Sequence, residues 1–333
     1  MTACPVPPSS PLRLALLQYP VERPDSLDAF AGKLDGWLRQ IEGRADLAVL
    51  PEYAAVELGA ALAGPGPGAT PDAGNDTPTD GSAGASTGTP TGTPTGTPVD
   101  EARELAAMTE VAEPLLQIFR DAARRHGLWL QPGTLPVRGG DGRVRNRAPL
   151  IDPAGRMAFQ DKRVMTRFEN ERWMVSPGAA PAVFDTPWGR IGLSVCYDVE
   201  FPTHVRAQVE AGAWLILAPS CTDTMHGFNR VRFSAAARAL ENQCFVAVTP
   251  TVGTAPWSAA LDVNRGFAAV FGPVDRGFPE DGTLARGALD EPGWVLATLD
   301  PTRLDRVRRE GGVLNHRDWP EAPFPIARPA PFA

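Results

Sequence analysis

Cysteine, histidine and basic charge are scarce in this sequence, and long apolar runs are absent. Four cysteines in 333 residues, at 4, 196, 221 and 244 with no CxxC pair, are too few for a disulfide scaffold. Four histidines, at 126, 204, 226 and 316, are scattered. No His/Cys cluster has zinc-finger spacing and no HExxH occurs, so no metal centre is expected. Lys and Arg number 32 against 39 Asp and Glu, a net charge of −7. That balance lacks the basic footprint of a nucleic-acid binder. No apolar run approaches the roughly 18 residues of a membrane span, so no membrane partner is expected. The opening MTACPVPPSSPLRLALLQYP has no basic region before its short apolar run. No signal peptide is therefore expected, and the cytoplasm is the expected compartment.

What is present is enough apolar material, 43%, for a sizeable core. Residues 12–19 form a strand-length apolar run, and LAVLPE (47–52) is a second, ending at a carboxylate. Between them, Leu27, Phe30, Leu34, Leu38 and Ile41 recur at helical spacing, with Gly43 as a stop. Residues 101–126 also have helical spacing, with a break expected at Pro114. Strands are expected at 128–134, on both sides of a turn within 145–162, and at 190–198, 213–220, 244–250, 267–273 and 294–300. Helices are expected at 203–212 and 229–243, and 315–333 reads as an irregular Pro-rich tail. Alternating strands and helices with hairpin-like pairs make a mixed-sheet α/β protein. Residues 63–100 differ in kind: TGTP repeats three times and little can be buried. This low-complexity insertion is expected to be disordered, within a surface loop of one domain.

Three residues could carry chemistry. Cys196 ends the strand-like IGLSVC, where α/β sheets place their sites, and a thiolate suits acyl transfer. Glu52 follows Pro51 at the mouth of a buried strand, where desolvation raises a carboxyl pKa toward that of a general base. Lys162, in QDKRVMTRFENERW, would stabilise a thiolate or an oxyanion if it lay near the thiol. Singly, each also fits a bland role: a buried thiol, a solvated strand-end carboxylate, a surface lysine. His204, eight residues after Cys196, is the alternative base.

Together these sites resemble the nitrilase, or carbon–nitrogen hydrolase, superfamily. LAVLPEY resembles its Glu motif, QDKRVMTRFE its Lys motif and GRIGLSVCYDVEFP its nucleophile motif. AARALENQCFV, with Arg238, Glu241 and Asn242, resembles a further block. The details KRVMTRFENERW, PSCTDT and ARALENQ look most like a bacterial branch sometimes fused to an acetyltransferase domain, which is not expected in this chain. The resemblance implies a four-layer αββα sandwich over 12–310, with a C-terminal tail at 311–333, and a homodimer or higher homo-oligomer. It implies a Glu52–Lys162–Cys196 triad without cofactor, acting on a small-molecule amide in preference to a nitrile. A second active-site Glu is implied at Glu169 or Glu171, with Glu169 favoured. The backbone N–H of Tyr197 is implied as an oxyanion donor. By family position, SCTDTMH, with Ser220, Cys221 and Thr222, lines the pocket. Trp173, Trp257 and Phe168 are possible apolar walls. Three other readings stay open: acyl transfer from the same thioester, a non-catalytic binding protein on this fold, and a thiol redox protein with Cys221 resolving Cys196.

Overall fold

The computed structural model describes residues 10–64, 100–258 and 260–319. The expected disorder of the insertion falls mainly on 65–99, and the end of the tail on 320–333, both outside the described residues. The N-terminal half runs β1 (Leu12–Pro20), α1 (Leu27–Arg39), β2 (Leu47–Leu50), a 3₁₀ turn (Ala54–Leu58), α2 (Gly59–Ala63), α3 (Glu101–Glu110) and α4 (Ala112–His126). Next come β3 (Trp129–Pro132), β4 (Leu135–Arg138), β5 (Val144–Ile151), β6 (Met157–Asp161) and the short α5 (Arg167–Glu171). β7 (Val183–Thr186), β8 (Gly189–Leu193), a 3₁₀ turn (Cys196–Glu200), α6 (Pro202–Glu210), β9 (Ala213–Ser220) and α7 (Met225–Asn242) follow. The chain then forms β10 (Phe245–Thr254), β11 (Val263–Asn264), β12 (Ala269–Phe271), β13 (Thr283–Arg286), β14 (Gly293–Leu299), α8 (Pro301–Glu310) and α9 (Asn315–Asp318).

The strands form two half-sheets. One is ordered β4–β5–β3–β2–β1, with β6 on β5 and β14 on β1. The other is β10–β9–β8–β7, with β12 and β13 beyond β10. They join where Tyr19 and Pro20 pair with Thr251 and Val252. Side-chain alternation along β1 and β2 separates two cores. Leu12, Leu14, Leu16, Leu47 and Val49 share a core with Ile191, Leu193, Leu215 and Leu217, between the half-sheets. Ala15, Leu17, Tyr19, Ala48 and Leu50 face the other way, toward Phe30, Leu34 and Leu38 of α1 and Leu115 and Phe119 of α4. α6 and α7 cover the second half-sheet through Val205, Val209, Val231 and Ala235. The result is the expected four-layer αββα sandwich.

Several boundaries differ from the sequence reading. α1 starts at the Ser26 cap, whose side chain accepts from Ala29 N–H, and ends at Arg39, with turns through Gly43. The break in 101–126 falls at Val111, not at Pro114. Pro114 lies in the first turn of α4, where a missing N–H is harmless. α7 begins at Met225 because Thr224 caps it by accepting from Gly227 N–H. The tail is not wholly irregular, since Asn315–Asp318 is a helical turn.

The turn after β2 is anchored by a buried charge. Glu57 is fully buried; it accepts from Tyr19 OH (2.5 Å), Lys33 Nζ (2.9 Å) and Glu22 N–H (2.8 Å). Burial raises the Glu57 carboxyl above its ordinary value, and Lys33 opposes that shift. Removing Lys33 leaves this carboxylate without its cation. Lys33→Met is expected to destabilise the fold by about 3 kcal/mol, read as a lower urea midpoint. An unchanged midpoint would contradict the anchoring role.

Candidate active site

Three loops at the ends of β2, β6 and β8 carry the site. Glu52 stands two residues beyond β2, Lys162 one beyond β6, and Cys196 three beyond β8. Their approach depends on local backbone devices. Tyr53 adopts a left-handed φ of 58°, and its N–H donates to Thr134 Oγ1 at 3.1 Å. Gly133, at φ +84°, lies so close that a Cβ there would run into the Pro51 carbonyl oxygen. Cys196 is itself left-handed, with φ 47°. Such a conformation in a non-glycine residue costs on the order of 1–3 kcal/mol and marks a turn the surroundings enforce. Asp198, two residues on and buried, ties this turn to the lysine loop. Its carboxylate accepts from Arg163 N–H (3.2 Å) and Val164 N–H (2.8 Å).

Lys162 is the hub. Its Nζ donates to Glu52 Oε1 at 2.8 Å and to Glu169 Oε2 at 2.7 Å. All three side chains are almost wholly buried, at 1–2% exposure. Glu169 accepts from four further donors: Asn146 Nδ2 (3.1 Å), Tyr53 OH (2.7 Å), Thr166 N–H (2.9 Å) and Thr166 Oγ1 (2.9 Å). The Thr166 N–H bond, with Glu169 N–H donating to Thr166 Oγ1 at 3.3 Å, forms a capping box that starts α5. Glu52 is less saturated. Oε1 accepts from Asn146 Nδ2 at 2.9 Å, and Oε2 from Cys221 N–H at 3.1 Å. The Cys196 thiol donates to the Cys221 carbonyl at 3.7 Å and lies near enough to Glu52 to lower its carboxyl slightly.

These differences set the charges. Burial raises Glu52 to about 7, against the pull of Lys162 and with the push of Glu169. Burial acts on Glu169 too, but Lys162 and the other donors outweigh it and hold that carboxyl below its ordinary value. Burial alone would lower Lys162, but the two carboxylates overcome it and keep the ammonium charged. Burial and then Glu52 push the Cys196 thiol well up, only partly offset by Lys162. Cys196 is thus a resting thiol beside a carboxylate able to take its proton.

The sequence candidates separate clearly in space. Glu52, Lys162, Cys196 and Glu169 come together. Glu171 does not: it is exposed and pairs with Arg167 at 2.9 Å. Ser220 and Thr222 are buried, and their hydroxyls donate to Ala218 O (3.0 Å) and Arg265 O (2.8 Å). Cys221 touches the site through its backbone, its carbonyl lying 3.7 Å from Cys196 Sγ. Tyr197 is half-buried, edge-on to Phe201. His204 is buried, and burial lowers its imidazole against the pull of its charged neighbour Asp198. Trp173 packs its edge on Tyr53 and lies against Phe168. Asn146, Tyr53 and Asp198 were not among the sequence candidates. Among the described residues no group of three His, Cys, Asp or Glu could hold a metal ion.

Residues 13–287 match the family model described as carbon-nitrogen hydrolase. The chain belongs to that family. A probable hydrolase of Bacillus subtilis is 27% identical over 309 residues, covering 92% of this chain and 53% of its own length. The chain therefore spans about half of that relative. The human deaminated glutathione amidase is 29% identical over 234 residues, 65% of this chain and 68% of its own. Among solved structures, a Saccharomyces cerevisiae member of the nitrilase superfamily superposes with TM-score 0.64 at 18% identity, covering 94% of this chain and 98% of its own. An amidase from a Nesterenkonia species gives 0.62 at 24% identity, covering 93% and 97%. These likenesses establish a nitrilase-type fold.

In this carbon–nitrogen hydrolase chain, the close approach at Gly133 yields a direct test. Gly133→Ala adds a Cβ at positive φ against the Pro51 carbonyl, and is expected to destabilise the protein by about 2 kcal/mol or more. Thermal unfolding reads it. A melting temperature equal to wild type would contradict the tight packing of these loops.

Proposed function

We propose that the protein is a thiol-dependent amide hydrolase in which Cys196 is the nucleophile, Glu52 the general base and Lys162 the oxyanion donor. The observation that carries this reading is the unequal saturation of the two glutamates around one lysine. Glu169, with five donors, is a poor proton acceptor and serves to hold Lys162. Glu52 Oε2, which accepts only from the Cys221 N–H, keeps a lone pair for the thiol proton. An ammonium has three N–H groups, and the two glutamates take two of them. The third is available to an oxyanion. The Tyr197 N–H, which meets no acceptor among the described residues, is its partner donor.

Cys196 Sγ attacks the amide carbon while its proton passes to Glu52. The carbonyl oxygen becomes an oxyanion held by Lys162 and Tyr197 N–H. The carbon–nitrogen bond breaks as Glu52 returns the proton to nitrogen, releasing ammonia or an amine. A thioester remains on Cys196. Glu52 then deprotonates water, which attacks the thioester and frees the acid and the thiol. An amide substrate is favoured over a nitrile by the amidase names of relatives, including an omega-amidase of Danio rerio. Two finer readings go with this function. The free thiols of Cys196, Cys221 and Cys244 agree with a cytoplasmic setting. Exposed Phe233 and Leu240, one face of α7, agree with a homodimer.

The test is ammonia release from a panel of ω-amides, N-carbamoyl amino acids, aliphatic amides and aryl nitriles. Cys196→Ala, Glu52→Gln and Lys162→Ala are each expected to lower the rate by a factor of about 1,000 or more with the fold intact. Full turnover by Cys196→Ala would falsify the assignment. The pH profile follows from Glu52, whose active form is ionised. Below about 7 it takes up its proton, and kcat/KM is expected to fall about tenfold per pH unit. A profile flat down to pH 5 would remove Glu52 as the base.

A further inference from the structure

The side chain of Asn146 touches both glutamates, and no step of the reaction so far uses it. Asn146 is the third residue of β5 and fully buried. Its neighbours Arg145 and Arg147 turn outward to Asp141 (2.7 Å) and Asp161 (2.8 Å). Asn146 turns inward. Its Nδ2 donates to Glu52 Oε1 at 2.9 Å and to Glu169 Oε1 at 3.1 Å. Its backbone carbonyl accepts the N–H of Lys162 at 2.8 Å. One residue thus holds three members of the site.

Two physical points make this more than packing. The amide must face the carboxylates with its nitrogen, because an amide oxygen there would meet two anions. That orientation leaves the buried Oδ1 with no hydrogen-bond partner among the described residues. An unmatched buried acceptor costs about 1–3 kcal/mol. The polar contacts of this side chain therefore run through its bridging N–H₂ alone.

We propose that Asn146 is a positioning residue that keeps Glu52 ionised beside Glu169 and ready to take the thiol proton. The proposal rests on the reading of Glu52 as the base. The side chain supplies one donor to each carboxylate, so two like charges share a neutral bridge as well as the Lys162 ammonium. Glu169 has four other donors and tolerates the loss of this one. Glu52 has fewer and does not. The charged or titratable groups facing Glu52 are Lys162, Glu169, Cys196, Cys221 and Tyr53. All of them remain when Asn146 is replaced, and so does the backbone bond to Lys162.

The test needs no substrate. Iodoacetamide alkylation of Cys196 is followed across pH 5–9 by peptide mass, which separates it from Cys4, Cys221 and Cys244. It is run on wild type, Asn146→Leu, Asn146→Ser and Glu52→Gln, each checked for folding by near-UV circular dichroism. Removing a donor from the charged form raises a carboxyl pKa. The acid limb of Asn146→Leu is therefore expected to move up by about one pH unit. Asn146→Ser, which keeps one O–H donor, is expected to lie between, and it serves alone if the leucine variant does not fold. A limb that coincides with wild type in the folded variant, whatever its amplitude, overturns the proposal. If wild type shows no limb that Glu52→Gln abolishes, the base reading itself fails, a result distinct from an unmoved limb.

Discussion

One buried ammonium shared between two buried carboxylates organises the rest of this site. Lys162 lies 2.8 Å from Glu52 and 2.7 Å from Glu169, with almost no solvent to screen any of them. An arrangement of two anions and one cation is unstable unless hydrogen bonds make up the difference. Asn146, Tyr53, Thr166 and the Cys221 amide supply those bonds, but unevenly. The unevenness leaves one glutamate locked and the other able to move a proton. On the proposed reading, function comes from how incompletely one member of the cluster is satisfied.

The fold makes such a cluster possible by delivering separate loops to one place. β2 and β6 lie in one half-sheet, and β8 lies in the other. The glutamate and lysine therefore come from one half of the sandwich and the thiol from the other. Asp198 bridges the halves at loop level, taking backbone N–H groups of Arg163 and Val164 from its place beside Cys196. Any relative shift of the half-sheets would separate the Cys196 thiol from Glu52. Their junction at Tyr19 and Pro20 is close in sequence to the anchoring contacts around Glu57.

Much of this was legible in the sequence, for definable reasons. Leu14, Leu16, Leu47 and Val49 sit in apolar runs of strand length, and α1 shows a helical period. The short strands Leu135–Arg138, Val183–Thr186 and Thr283–Arg286 were not legible, because LPVR, VFDT and TLAR are too short for periodicity and lack the unbroken apolar run that marks LAVL. Glu52, Lys162 and Cys196 could be singled out because each follows or ends a strand within a recognisable motif. Glu169 had a local signal beyond its spacing from Lys162: Thr166-Arg167-Phe168-Glu169 is a capping-box pattern that turns Glu169 back toward the helix start, while Glu171 faces solvent. Asn146 was hidden. An asparagine inside VRNRAPLI reads as a weak strand residue, and only the inward register of β5 shows that it reaches both carboxylates.

The most direct measurement is the mass of the protein itself, acid-quenched while it turns over an amide that releases ammonia. The expected result is a Cys196 peptide heavier by the acyl group less one hydrogen, absent from Cys196→Ala and lost on treatment with hydroxylamine, as a thioester would be. Turnover with no adduct on Cys196, together with retained activity in Cys196→Ala, would contradict a reaction built around this thiol.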